Sequence, residues 1–314
     1  MSSIEEDSYS NLNHDGIDIF KLLSILWYKK IFIVLSVTLT SFISVQYALS
    51  LPNIYKSEAI LLPQGNESAA GGGMLGQYSS IASFTGISLP SSAPNKSVIA
   101  IKRIESFEFF LNFFLPNISL QDLVAVKRWD PLSNKLTYDL KIFNSDKNMW
   151  VKDSNYLKAS PVSLQESYGI YKSILSISQD TASPFISISI KHKSPHIAKD
   201  WVYIVVNEIN KSMGEEDKKD ATNSIEFLNG LALKVNYAEI KNIISSLQQE
   251  QIKNLMMIES NKDYIFKFLD SPVAPEKKSE PKRALIVMLG ILLGSIMSIM
   301  VSIAIYSFKD RLKN

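Results

Sequence analysis

The sequence predicts an α+β protein anchored in a membrane at both ends: two transmembrane helices flanking an α/β base domain that carries a long extended helix. Three observations lead there. Two uncharged apolar runs, residues 31–49 and 284–308, stand near the two ends. Each is close to the roughly 20 residues that a helix needs to cross a bilayer core of about 30 Å. Between them, short alternating segments are interleaved with segments of helical period. Last, residues 215–269 contain no proline and one glycine, Gly230.

Taken in order, residues 1–30 form an N-terminal segment and 31–50 the first span. Residues 53–63 (NIYKSEAILLP) alternate and end on proline, as a strand does. The Gly/Ser-rich stretch 64–96 reads as a long loop. Residues 97–114 have helical period, with Pro116 as the stop. YDLKIF (138–143) is expected to be a strand. Ser163 and Glu166 form a capping-box pattern that should open a short helix, which passes into a strand before Asp180. PFISISIKHK (184–193) is a strand by alternation. Ser194 as cap, Pro195 in the first turn, and the stripe Ile197, Trp201, Ile204 and Val205 predict a helix to Met213. The base domain is thus residues 51–214, and residues 215–270 are expected to form one long helix, with any break near Gly230. Its stripe is incomplete, so Ile240, Ile244, Leu247 and Leu255 are expected to face other copies of the chain. A clean heptad is absent, which argues against a simple parallel coiled-coil dimer.

A Pro/Lys-rich collar, residues 271–283, leads into the second span, 284–308, and a tail, 309–314. Pro272, Pro275 and Pro281 bar the collar from being helix interior and suit a hinge at a membrane surface. Lys21, Lys29 and Lys30 precede the first span and Lys56 alone lies close behind it, which places the N-terminus in the cytoplasm. Two spans return the C-terminus to the same side. The body between them is then extracytoplasmic, which in a bacterium is the periplasm. Acidic residues before the first span and the length of its apolar run argue against a cleaved leader.

Composition excludes several functions. A formal net charge of +2 gives no footprint for nucleic acid, and the absence of cysteine removes disulfides and thiolate chemistry. GNESAAGGG (65–73) lacks the lysine of a phosphate loop, and the hydrolase and metalloprotease signatures are missing. His192 and His196 flank a strand-to-helix corner, where a capping or solvated role outweighs a metal site. Glu215, Glu216 and Asp217 are consecutive and read, with Lys218, Lys219 and Asp220, as a solvated turn rather than a catalytic pair. No cofactor, metal or catalytic residue is expected. In the second span Gly290, Gly294 and Ser298 repeat every four residues, a small-residue face of the kind that lets membrane helices approach closely.

The collar SPVAPEKKSEPKR (271–283) resembles the proline-rich signature of the Wzz-type chain-length determinants, or polysaccharide co-polymerases. IDIFKLLSILWYKKIFIV (17–34) resembles their cytoplasmic entry, and Tyr55, Ser57, Ala59 and Leu61 their first periplasmic strand. Pro195, Ala198 and Trp201 fall at the pattern positions of their strand-to-helix element, and residues 250–278 are similar to their long helix and its exit. The resemblance spans nearly the whole chain and is weakest over residues 125–160 and the Gly-rich loop. It implies a ring-forming homo-oligomer of the bacterial inner membrane, with a Wzy-type polymerase and lipid-linked polysaccharide as partners and no chemistry of its own. The six residues after Phe308 leave no room for the kinase of some relatives. A capsule-export co-polymerase working with an ABC transporter shares the two-span layout, and a membrane-anchored glycosidase is the enzymatic alternative.

Overall fold

The computed structural model describes residues 27–64, 95–151, 162–179 and 183–311. Most of the expected N-terminal segment, nearly all of the Gly/Ser-rich loop and the last three residues lie outside them. The chain forms two compact units, one of Met1–Leu51 with Glu280–Asn314 and one of Pro52–Ser279.

The first unit is a pair of helices, α1 (Lys30–Ser50) and, at the far end of the chain, Arg283–Arg311. Both are long and apolar enough to cross a membrane, and only 6 % and 11 % of their apolar windows are buried. Ile31, Leu35 and Phe42 are 78 %, 70 % and 61 % exposed. A core helix would hide such side chains, whereas a lipid-facing helix presents them. The pair is therefore consistent with a membrane anchor.

The second unit is built on a four-stranded antiparallel sheet of β1 (Tyr55–Pro63), β6 (Leu175–Gln179), β7 (Ile186–His192) and β8 (Phe266–Asp270), in the order β6-β7-β1-β8. Strand β1 (Tyr55–Pro63) pairs with β7 (Ile186–His192) from Tyr55 opposite His192 to Leu61 opposite Ile186. The period-2 pleat sends Ala59, Leu61, Ile186, Ile188 and Ile190 to one face, where all five are fully buried. Helices cover that face.

Helix α2 spans Lys96–Ile104, with the Asn95 side chain accepting from the Ser97 N–H at its start. The expected helix over 97–114 breaks after it. Ser106 caps a new turn, α3 (Phe107–Phe109), that widens into a π-turn to Phe114 and ends in a 3₁₀ turn through Pro116. A helix end leaves carbonyls without partners. Here tyrosines supply them: Tyr171 donates to the Ile104 carbonyl at 2.9 Å and Tyr168 to that of Glu105 at 2.5 Å. The break turns Phe109, Phe110 and Phe114 into the core, where Phe114 meets Tyr171 at 4.7 Å and Trp201 at 5.6 Å between ring centres.

After α4 (Leu120–Val124) comes a hairpin that no signal in the sequence predicts. It consists of β2 (Val126–Asp130) and β3 (Lys135–Tyr138). Asp130 holds its turn by accepting from the Leu132 and Ser133 amides and the Ser133 hydroxyl. The strand expected over 138–143 is mostly a turn: Asp139 accepts from the Lys141 amide through its side chain and from the Ile142 and Phe143 amides through its carbonyl. Pairing resumes in the two-residue strands β4 (Phe143–Asn144) and β5 (Met149–Trp150). The Ser163–Glu166 capping box is present, and the helix it opens, α5 (Leu164–Ile174), passes directly into β6 (Leu175–Gln179).

The largest departure concerns the long helix. Helix α6 runs from Pro195 to Lys234, 40 residues and about 60 Å at 1.5 Å each, so it begins well before Glu215. It passes through Gly230 unbroken and stops at Val235, beyond which three extended residues lead into α7 (Ala238–Ser260). Val235, Asn236 and Tyr237 are all mediocre helix formers, which makes this the low-cost place to turn. Helix α7 folds back along α6, as the Gln248–Asn229 hydrogen bond of 2.7 Å and the Lys218–Glu259 ion pair record. The expected single rod is thus a hairpin of two antiparallel helices. Nor do residues 261–270 continue the helix. Asn261 accepts from the Asp263 amide, and Phe266–Asp270 forms β8 at the edge of the sheet beside β1. With α6 placed, its residues Trp201, Val202, Val205, Val206 and Ile209 are seen to complete the core, while the expected stripe members Ile197 and Ile204 pack only partly buried.

Candidate functional site

In the first unit, call the second apolar helix, Arg283–Arg311, α8. The three small residues named from the sequence all lie on it. A side chain at Gly290 would put its Cβ 2.6 Å from the Ser44 Cβ, and one at Gly294 would put it 2.8 Å from the Thr40 Cβ. The glycines therefore set how closely α8 approaches α1, and Ser298, one turn on, is 2 % exposed. Nearby hydroxyls bond within their own helices, Thr40 to the Ser36 and Val37 carbonyls and Ser298 to that of Ser295. That is the arrangement a lipid setting demands of polar side chains. Arg283 donates from Nε to the Ala48 carbonyl at 3.0 Å, placing a cation at the C-terminal end of α1, where the helix dipole favours it. A groove of about 500 Å³ runs along the pair between Phe32, Ile43, Leu293 and Met297.

The collar prolines occupy non-helical backbone, and Pro272 is buried. Within the base, the collar is tied to the start of β1. Ser57 donates to the Val273 carbonyl at 2.8 Å, and the Ser279 amide donates to the Ile54 carbonyl at 2.8 Å. Up to Ser279 it is a strut laid along a strand rather than a free tether.

The four side chains expected to face other copies divide. Ile240 and Leu247 are 41 % and 38 % exposed, and Leu255 is half-buried. Ile244 is 3 % exposed. The hairpin consumes it within the chain, so it is not available to a neighbour. In exchange the arms expose residues that were not named, among them Phe227, Leu233, Tyr237 and Met256 at 69 %, 88 %, 75 % and 66 %.

Polar networks fix the hairpin to the base. Asn210, 3 % exposed, accepts from the Ile265 and Phe266 amides and donates to the Phe266 carbonyl, stitching α6 to the entry of β8. The carboxylates read as a solvated turn lie on α6. Glu216 pairs with Arg103, and Asp217 receives Lys96 at 2.6 Å and the Tyr264 hydroxyl at 2.5 Å. These partners are distant in sequence, which hid the role. His192 is equally structural. Its Nδ1 accepts from the Ser194 amide at the head of α6, so Nε2 carries the proton and donates to the Asp122 carbonyl at 3.0 Å. Its ring lies 4.9 Å from that of Trp201, whereas His196 rests near Trp129. Burial pushes the His192 pKa below the usual value despite those backbone bonds. Among the described residues no cluster of three or more histidines and carboxylates could hold a metal.

These features describe an α+β protein with a helical hairpin and two apolar helices consistent with a membrane anchor. Comparison with known proteins adds one family. The model of the Wzz chain length determinant protein matches residues 15–95, which cover the entry segment, α1 and β1. The resemblance to the Wzz-type chain-length determinants is thereby shown over that stretch. No curated protein matches the chain. Among solved structures, a full-length bacterial polysaccharide co-polymerase is similar at 14 % identity and a TM-score of 0.40, covering 93 % of this chain and 99 % of its own. A fragment of WzzB, the polysaccharide co-polymerase from Salmonella Typhimurium, is similar at 16 % identity and a TM-score of 0.27, covering 73 % and 100 %.

Proposed function

We propose that the chain regulates the length of a lipid-linked polysaccharide, O antigen or a related polymer, as a ring-forming co-polymerase beside a Wzy-type polymerase. The observation that carries this reading is the match of residues 15–95 to the chain length determinant model. Both termini lie in the cytoplasm and the base and hairpin in the periplasm of a bacterial inner membrane, in keeping with the lysines before α1. The protein does no bond chemistry. Copies adjoin through the bases and the exposed apolar residues of the hairpin arms. The face of Gly290, Gly294 and Ser298 and the collar couple this body to the membrane helices. The collar acts as a strut, with Pro275 and Pro281 holding an extended path.

Deleting the gene and running the surface polysaccharide on a gel tests the reading. The expected result is polymer of unregulated length in place of a banded distribution, restored by the wild-type chain. An unchanged distribution would overturn it. Pro275→Ala with Pro281→Ala should shift or blur the bands at normal protein level, and an unchanged ladder would remove the collar from the mechanism.

A further inference from the structure

At the foot of the hairpin, α6 and the segment that ends α7 diverge and leave a pocket of about 500 Å³, the size of a small-ligand site. One wall is a single face of α6, where Asn207, Lys211 and Glu215 follow at four-residue spacing. The other is the turn of Asn261 and Lys262, with the Tyr264 ring beside it. Gly214 is part of the lining. A Cβ there would sit 3.7 Å from Ile258 and 3.8 Å from the Tyr264 ring, so a larger side chain would crowd two other lining residues.

Two properties identify what the pocket suits. First, its walls are fixed but much of its polar lining is unspent. Asn210 stitches the turn to α6, and Asp217 holds the Tyr264 hydroxyl. Asn207, Lys211, Glu215 and Lys262, by contrast, make no side-chain hydrogen bond or ion pair among the described residues. Second, the charges balance. Lys211, Lys218 and Lys262 face Glu215, Glu259 and Asp263, and Lys218 is already paired with Glu259. A phosphate or another small anion would want a net positive site. Closely mixed donors and acceptors around an amide and an aromatic edge suit a ligand whose every group both donates and accepts, which is the chemistry of sugar hydroxyls.

We propose that this pocket binds a short neutral stretch of polysaccharide, one to three sugars long, and so gives the hairpin a direct hold on the polymer. The proposal rests on the chain-length reading and names a contact within it. It is tested on the full chain in detergent, using oligosaccharides of one to three repeat units released by mild acid from the host's own lipid-linked glycan. Saturation-transfer NMR and calorimetry should show binding. Affinity should fall at least about tenfold in Asn207→Ala with Lys211→Ala, which alters only an exposed helix face, and in Gly214→Leu, which crowds Ile258 and Tyr264 in the lining. The double alanine variant carries the test should Gly214→Leu fail to fold. No binding by the wild-type chain, or equal binding by the double variant, would overturn the proposal. Competition by inorganic phosphate at matched concentration would also overturn it, because the site would then be an anion site. Loss of length control on gene deletion, without oligosaccharide binding, would sink the pocket and leave the broader reading standing. An unchanged ladder on deletion would sink the broader reading itself.

Discussion

Tyr264 donates its phenolic hydrogen to Asp217, 47 residues earlier in the chain, at 2.5 Å, and Lys96 reaches both groups, the carboxylate at 2.6 Å and the phenol oxygen at 2.7 Å. Three elements meet there: the head of α2, the middle of α6 and the approach to β8. Burial by itself would lower the Lys96 pKa. The hydrogen bonds to Asp217 and Tyr264, with the Asp217 charge, outweigh it and leave the ammonium above its ordinary value. Its bonded partners therefore keep Lys96 charged throughout the physiological range. The lysine is 42 % exposed, so solvent screening limits what the pair is worth. Asp217→Asn should lower stability by about 1 kcal/mol, read by denaturant unfolding of the full chain in detergent, with Lys96→Met costing a similar amount. Additive losses in the double variant would show that the two groups do not act together.

The His192 ring links pH to the fold. Its native hydrogen bonds require Nδ1 to be bare, and burial depresses its pKa below 6.5. The unfolded chain therefore binds a proton more readily than the folded one as the medium becomes acidic. Stability from this site is complete above about pH 6.5 and is lost as pH falls from there through the folded pKa. The charged groups that act on it are Asp122, which favours protonation, and Lys193, which opposes it. Unfolding midpoints at pH 7.5 and pH 5.0 should differ in the wild type, and His192→Gln should narrow the difference at the expense of stability at pH 7.5. An equal pH dependence in that variant would assign the slope to other groups.

Phe114 is fully buried between Tyr171 and Trp201. Phe114→Ala should cost about 3–5 kcal/mol through lost burial and the cavity left behind. Leu132, at the tip of the β2–β3 turn, is 98 % exposed, and Leu132→Ser should change stability by less than about 0.5 kcal/mol. Thermal unfolding followed by tryptophan fluorescence distinguishes the two.

The close approach of α1 and α8 can be measured without background because the chain has no cysteine. Phe32 and Val301 line the same groove of the helix pair. Cysteines at these two positions should be joined by a short bismaleimide in membranes. Adding Gly290→Leu or Gly294→Leu should reduce that cross-link severalfold, because the new side chain must displace Ser44 or Thr40. Undiminished cross-linking would mean that the glycines do not set the spacing.

Local and linear signals were legible in the chain itself. The apolar helices over 31–49 and 284–308 follow from length and lack of charge, the Ser163–Glu166 cap from two residues three apart, and strands β1 and β7 from alternation over a buried face. Such signals need no distant partner. The elements that only the tertiary structure decided share the opposite property. FKFLD became a strand because β1 offers it an edge and Asn210, 56 residues upstream of Phe266, holds its entry. The expected rod folded into a hairpin by turning at Val235–Tyr237, and the packing of the two arms took Ile244 out of reach of a neighbour. Glu216 and Asp217 became structural because Arg103, Lys96 and Tyr264 arrive from elsewhere. Periodicity records how one segment wants to fold by itself; which surface it then meets depends on contacts between residues far apart in the chain, and these carry no local mark.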